Sequence, residues 1–217
     1  MSVRSLMVAS APQLPQVSVI TTAGTGSVPV PAGFSKYTAE AIGGGGNGFG
    51  STTNANKAGG GGGRWAISAP KIAVSPGNSI FYSVGTAAQD SWVNTTNAPP
   101  SLASTGCLAK AGTNAASGVA GNGAATGSIN ASTNAGGTGA TGNNAVGGGA
   151  AGASGVGSGQ TAGTDTTGLS AQLMGGGTGG ASLTAGTAPG GGGGSSATAG
   201  TNPAGAVGRV RITFYVN

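Results

Sequence analysis

Residues able to carry proton transfer, nucleophilic attack or metal binding are nearly absent from this chain of 217 residues. It has no histidine, so neither a Ser-His-Asp nor a Cys-His arrangement can form. Its three carboxylates, Glu40, Asp90 and Asp165, lie far apart, and no two share a motif. Paired-carboxylate glycosidase chemistry would need two of them to converge through folding alone. Cys107 is the one cysteine, which excludes an intrachain disulfide and reads as a buried thiol. One Cys without His cannot complete a zinc site. The expectation is a protein that is not an enzyme, with no catalytic, cofactor-binding or metal-ligating residues and no cofactor.

The glycine runs Gly43–Gly46 and Gly59–Gly63 look at first like phosphate cradles. Neither is followed by Lys-Ser or Lys-Thr, or by a helix whose N-terminus would hold a phosphate. Asn94-Thr95-Thr96 and Asn130-Ala131-Ser132 fit the glycosylation acceptor pattern, which means little without a secretion signal. Met1–Pro15 carries only the short apolar piece Leu6–Ala9, below the length of a signal-peptide core, so no such signal is expected. No apolar run is long enough to insert in a membrane. The net charge of +5 comes from eight scattered Lys and Arg residues, with no basic run, so nucleic acid is not an expected partner.

Three readings of contact residues remain. Phe49 sits on a glycine turn and Trp92 in a loop between sheet and glycine regions. Both are candidate surface contacts, because aromatics on rigid loops often anchor interfaces and sugar platforms. Packing as local core at the ends of the glycine region is the alternative. The third is a docking arm over residues 1–15, with Arg4, Leu6 and Met7 as its candidate contacts and Pro12 and Pro15 interrupting regular structure.

The elements that would carry such residues follow from the glycines. Positions 112, 118, 121, 127, 136, 139, 142 and 148 share one triplet register, whose other members are Ala115, Ala124, Asn130, Thr133 and Ala145. Only Gly123, Gly137 and Gly147 break the beat in that window, and beyond it the register slips to Gly149, Gly152 and Gly155. A period of three suits neither α-helix nor strand. It suits a polyproline-II-type helix, which has no internal hydrogen bonds. Such a helix must pair its N–H and C=O groups with neighbours, and needs Gly wherever another backbone comes close. The expected core is therefore a bundle of glycine helices joined by tight turns, with 136–142 and 149–155 as its best-marked members. Disorder is the competing reading of a Gly-rich tract. Against it, charged residues are only 5% and mean hydropathy is +0.10.

The flanks read as β-framework. Gln16–Thr22, Phe34–Ile42, Arg64–Val74, Ser79–Gly85, Leu102–Lys110 and Val207–Val216 are strand-like, and Ser75-Pro76-Gly77-Asn78 is a turn. In the last of these strands Val210, Ile212, Phe214 and Val216 share one face, opposite Arg209, Arg211, Thr213 and Tyr215. The fold class is mainly β and irregular: a small antiparallel β-sandwich framing polyglycine-II helices, with almost no α-helix. The only helical candidate is the short Leu169–Met174. Residues 16–217 form the glycine-rich domain after the arm. Its β-framework is drawn at 16–110 and 204–217, and its bundle at about 111–203.

The order VPVPAGFSKYTAEAIGGGGNG, GGGGGRWAISAPKIAVSPGNSIFYSVGTAA, APGGGGG and GAVGRVRITFYV resembles the glycine-rich domain of tailed-phage and prophage virion proteins. The resemblance spans roughly residues 27–217. It is weakest over Ala87–Ala188, where Ala-Ala-Gln-Asp-Ser-Trp stands in place of the family's glycine run. It implies a non-enzymatic virion protein assembled in the host cytoplasm, most closely a small tail-fibre, tail-tip or receptor-binding component. A head fibre or capsid decoration protein is the neighbouring alternative. The arm would dock on other virion proteins, the chain would form a homo-oligomer (a trimer by preference), and a host cell-surface glycan or protein is a further partner. An ice- or surface-binding bundle is the reading from another class, raised by the Thr- and Ala-rich sequence between the glycines.

Overall fold

The computed structural model describes residues 13–123, 126–163 and 174–216. Its strands are β1 (Gln16–Ile20), β2 (Gly24–Pro29), β3 (Lys36–Ile42), β4 (Trp65–Ile67), β5 (Ile72–Ala73), β6 (Ser79–Val84), β7 (Ser91–Asn94), β8 (Gly106–Ala109), β9 (Ser132–Asn134) and β10 (Arg209–Tyr215). One sheet runs β1-β10-β3-β4-β9, with β5 also on β3, and the other runs β2-β6-β7-β8. Every ladder is antiparallel. The only helix among the described residues is one 3-10 turn, Asn54–Asn56.

Alternation drives the two sheets together. Tyr37, Ala39 and Ala41 on β3, Ala66 on β4, and Val210, Ile212 and Phe214 on β10 meet Ile80, Val84, Val93, Cys107 and Ala109 from the second sheet in one buried cluster. β10 shows the expected facing and lies between β1 and β3, pairing with both. The strand expected over Arg64–Val74 is broken in two. Pro70 lacks an N–H, Lys71 has φ 52°, and Ser68 bridges the gap by accepting the Ala39 N–H at its Oγ (3.0 Å).

Beyond the sandwich the chain runs out and back in extended segments. Segment 59–64 shows their geometry. Gly59 and Gly62 donate to Ala140 and Gly137, Gly60 and Gly63 to Gly193 and Gly190, and Gly61 and Arg64 to Thr113 and Lys110, all at 2.8–3.0 Å. Residues three apart thus face the same neighbour, as three residues per turn requires. The carbonyls of 59–64 in turn accept from Gly121, from Gly148 and Ala151, and from Gly46 and Gly43. The segment is surrounded by 43–50, 110–116, 119–123, 135–141, 145–151 and 190–196. A Cβ on Gly60 would overlap the Gly46 carbonyl oxygen, and one on Gly62 the Gly149 carbonyl oxygen. Backbone fills the space that side chains fill in the sandwich.

Three expectations are corrected. The bundle extends beyond 111–203, because 43–50 and 58–64 belong to it and 59–64 lies in its interior. Gly149–Gly155 is not one helix: Gly152 and Gly155 exchange N–H···O bonds (2.9 and 3.4 Å) and reverse the chain. The reversal falls where the segment reaches the sandwich, with Ala150 and Ala151 packed on Ile42, Trp65 and Met174. Within the register, Asn130 and Thr133 also leave the bundle. Ile129 bridges Leu108, and Thr133 lies in β9 with its Oγ1 donating to the Trp65 carbonyl (2.6 Å). Of the candidate helix Leu169–Met174, only Met174 lies within the described residues, and it is buried.

Candidate functional site

The strand directions give the molecule two poles. β1 begins at Gln16 opposite Phe214, and β3 begins at Lys36 opposite Tyr215, while the other ends of β3 and β10 (Ile42 and Arg209) meet the bundle. The sheet pole thus carries the start of β1 and the end of β10. The bundle's far pole carries the turns after its outgoing segments: 51–57, 116–119, 141–145, 181–184 and 196–201.

These turns are tied to one another. Gly118 N–H donates to Asn56 O (3.0 Å), Gly142 N–H to Lys57 O (2.9 Å), Ser51 N–H to Ser196 O (3.1 Å) and Leu183 N–H to Ser195 O (2.6 Å). Lys57 is only 7% exposed, and its Nζ donates to Asn54 Oδ1 (2.7 Å) and Asn143 Oδ1 (3.3 Å). A buried ammonium held by two amide oxygens joins the 51–57 turn to the 141–145 turn. Val119 and Leu183, in the 116–119 and 181–184 turns, stand exposed. The loop pole is consequently a rigid, neutral-to-basic surface of amides, hydroxyls and two apolar side chains.

Several titratable groups elsewhere among the described residues are committed to structure. Glu40 is paired with Arg211 on the adjacent strand and accepts from Trp65 Nε1 (3.3 Å). Asp90 pairs with Lys110 (2.6 Å) and also accepts the Ala111 N–H (2.8 Å), pinning the exit from β8 into the bundle. Burial pushes the Cys107 thiol well above its ordinary range, with the Glu40 charge adding to it, and burial likewise raises Tyr37, whose hydroxyl donates to Thr105 O (2.7 Å). Burial lowers the Arg209 guanidinium. Among the described residues no group of three His, Cys, Asp or Glu side chains converges.

The sequence-derived contacts divide. Phe49 lies at the loop end of segment 43–50, half-buried, with its backbone paired to Ala58 (2.7 and 3.3 Å). Trp92 is corrected: it lies within β7 and is 9% exposed, so it serves the framework rather than a free surface. Ser91–Asn94 escaped sequence reading because a four-residue strand flanked by polar residues carries almost no period-two signal. Arg4, Leu6 and Met7 lie outside the described residues, as does Asp165.

Sequence reasoning also missed two surface features. Phe81, on the outer face of the second sheet, separates two depressions of about 340 and 230 Å³. One is bordered by Asn78 and Thr95, and the other by Thr25, Ser27 and Asn97. The second feature is the set of asparagines near the loop pole, whose only sequence signal is their position at the ends of glycine segments. The fold is a mainly-β scaffold joined to a backbone-packed bundle that ends in a pole of mutually bonded turns. No protein-family model matches the chain, and no curated protein matches it.

Proposed function

We propose that this chain is a non-enzymatic structural protein of a bacteriophage virion, acting as a small tail-fibre, tail-tip or receptor-binding component. The observation that carries this reading is the two-pole layout. The strand that follows the arm opens at the sheet pole, and the knitted turns present a contact surface at the other. Between them lies a spacer whose helices are cross-linked on several sides by backbone hydrogen bonds, giving rigidity without a large side-chain core. The arm would join other virion proteins, and a homo-oligomer, with a trimer favoured, would cover the bundle's exposed flanks. A host cell-surface glycan or protein is the partner proposed for the loop pole.

The test is to label purified virions with antibody against the chain and, separately, to measure binding of the purified chain to host cells. Label at the tail tip together with cell binding supports the proposal. Label on the capsid without cell binding selects a head fibre or decoration protein instead. A chain that neither labels virions nor binds cells overturns both.

One contact favours an ice- or lattice-binding reading: Thr178 and Thr187 on adjacent segments place their Oγ1 atoms 2.9 Å apart on an exposed face. Thermal hysteresis without virion or cell association would establish that reading in place of the first.

A further inference from the structure

We propose that the outer face of the second sheet holds a binding site for a neutral oligosaccharide, centred on Phe81. The site is separate from the loop pole and does not rest on the virion reading. Phe81 borders both depressions on this face, so the two are neighbours across one aromatic side chain. It lies in β6 opposite Ser27 of β2 and Asn94 of β7. Ile80 and Tyr82, on either side of it in the strand, pack on the core between the sheets, which leaves Phe81 half-buried on the other face.

The rim of the site is held in place by the fold. Asn94 is buried, and its Nδ2 donates to Thr96 Oγ1 (2.9 Å) and Ala98 O (2.8 Å) while its Oδ1 accepts the Thr95 N–H (2.8 Å). This one side chain fixes the loop that brings Thr95 to the first depression and Asn97 to the second. Asn78 reaches the first depression from a turn tied to Val30, whose N–H donates to Asn78 O (2.7 Å) and whose carbonyl accepts the Gly77 N–H (3.0 Å). Thr25 and Ser27 border the second from β2, which is paired to β6 along its whole length. Among the described residues, no hydrogen bond engages the side chains of Thr25, Ser27, Asn78, Thr95 or Asn97.

The chemistry of these groups selects the ligand. Amides and hydroxyls both donate and accept, as each hydroxyl of a sugar does. No Lys, Arg, Asp or Glu borders either depression, so a phosphate, uronate or ammonium group would lose water there without gaining a counter-charge. The Phe81 ring supplies the apolar surface that the C–H face of a pyranose needs, its electron-rich face meeting weakly positive hydrogens. At 340 and 230 Å³ the depressions lie at or below the small end of the roughly 300–1,000 Å³ usual for small-molecule sites. Each therefore takes one sugar ring, and a ligand that fills both is an oligosaccharide lying across Phe81.

The test titrates the isotope-labelled full chain with maltotriose, chitotriose and mannotriose, with the monosaccharide of each, and with trigalacturonate. At least one neutral trisaccharide should shift the Phe81 ring resonances and the side-chain NH2 resonances of Asn78 and Asn97. It should bind about tenfold more tightly than its monosaccharide, with an affinity that added salt leaves unchanged. Phe81→Ala should weaken binding about tenfold or more. Asn97→Ala changes an exposed loop residue, keeps the framework intact, and should weaken binding about threefold or more. The proposal is overturned if no neutral trisaccharide moves these resonances, if trigalacturonate moves them as far, or if the monosaccharide binds equally well. Unchanged affinity in a folded Phe81→Ala or Asn97→Ala chain also overturns it. Shifts of the same resonances with protein concentration, and none with sugar, would assign this face to a second copy of the chain instead.

Discussion

The sandwich and the bundle solve the same packing problem with opposite materials. In the sandwich, backbone hydrogen bonds lie within each sheet, and the space between sheets is filled by Tyr37, Phe214, Ile212 and Ile80, each at most 1% exposed, together with their buried neighbours. In the bundle, each helix sends its hydrogen bonds outward in several directions, leaving no sheet plane and no gap for side chains. Burial of apolar area, at roughly 25 cal/mol per Å², stabilises the first. Hydrogen bonds of about 1 kcal/mol each, together with close backbone contact, stabilise the second. The lesson is that a buried glycine in the bundle does the work of a buried phenylalanine in the sandwich. Each region should fail in its own way.

The sharpest way to break the comparison is Gly60→Val. Its side chain would enter the space held by the Gly46 carbonyl, and Gly46 is itself locked to Gly61 and Gly193. A loss above about 4 kcal/mol is expected, at the extreme of single substitutions. Circular dichroism should show the polyproline-II signature gone while the β signal persists in part; a cooperative melt near that of the parent would refute backbone packing. On the sandwich side, Phe214→Ala should lower stability by about 3–5 kcal/mol through an unfilled cavity, read as a fall in the denaturant midpoint.

A second glycine sharpens what the first shows. Gly142 has φ +93° and nothing within 4 Å of where a Cβ would stand. Gly142→Ala should therefore cost only about 1–2 kcal/mol, from backbone conformation and not from a clash. If it matched Gly60→Val in thermal melts, space would not be what distinguishes these glycines.

The smallest expected effect is a pH slope belonging to the sandwich alone. Burial holds the Cys107 thiol protonated in the fold, whereas an unfolded thiol ionises above about pH 8.5. Unfolding then releases a proton, so this contribution is complete below that pH and is lost as pH rises, by about 1.4 kcal/mol per unit. Denaturation curves at rising pH should show the slope in the parent and lose it in Cys107→Ala. Tyr37, raised by the same cause, adds a further fall above about pH 10.

Much of this architecture was legible in the chain, and the reasons differ by region. Alternation in Arg209–Tyr215 announced its buried face, because a strand's side chains repeat every two residues whatever surrounds them. The triplet glycines announced a three-residue screw for the same kind of reason. The candidate site was far less legible. Phe49 does reach the loop end, but Trp92 was drawn into a strand whose partners, β6 and β8, supply the hydrogen bonds its own short sequence cannot advertise. The locked asparagines were invisible, since the donors that orient them, on Asn47, Gly50, Lys57 and Gly205, are brought to them by folding.

By itself the sequence determined two repeat periods, the scarcity of catalytic groups, and the need for close backbone approach wherever glycine repeats. Only the tertiary structure decided which segments surround 59–64, that the chain reverses at Gly152–Gly155, and which donors hold the asparagines of the loop pole. The physical reason is that a polyglycine-type helix carries no hydrogen bonds of its own. Its local sequence can specify the screw but not the partners, and partners are assigned only when all the segments are in place.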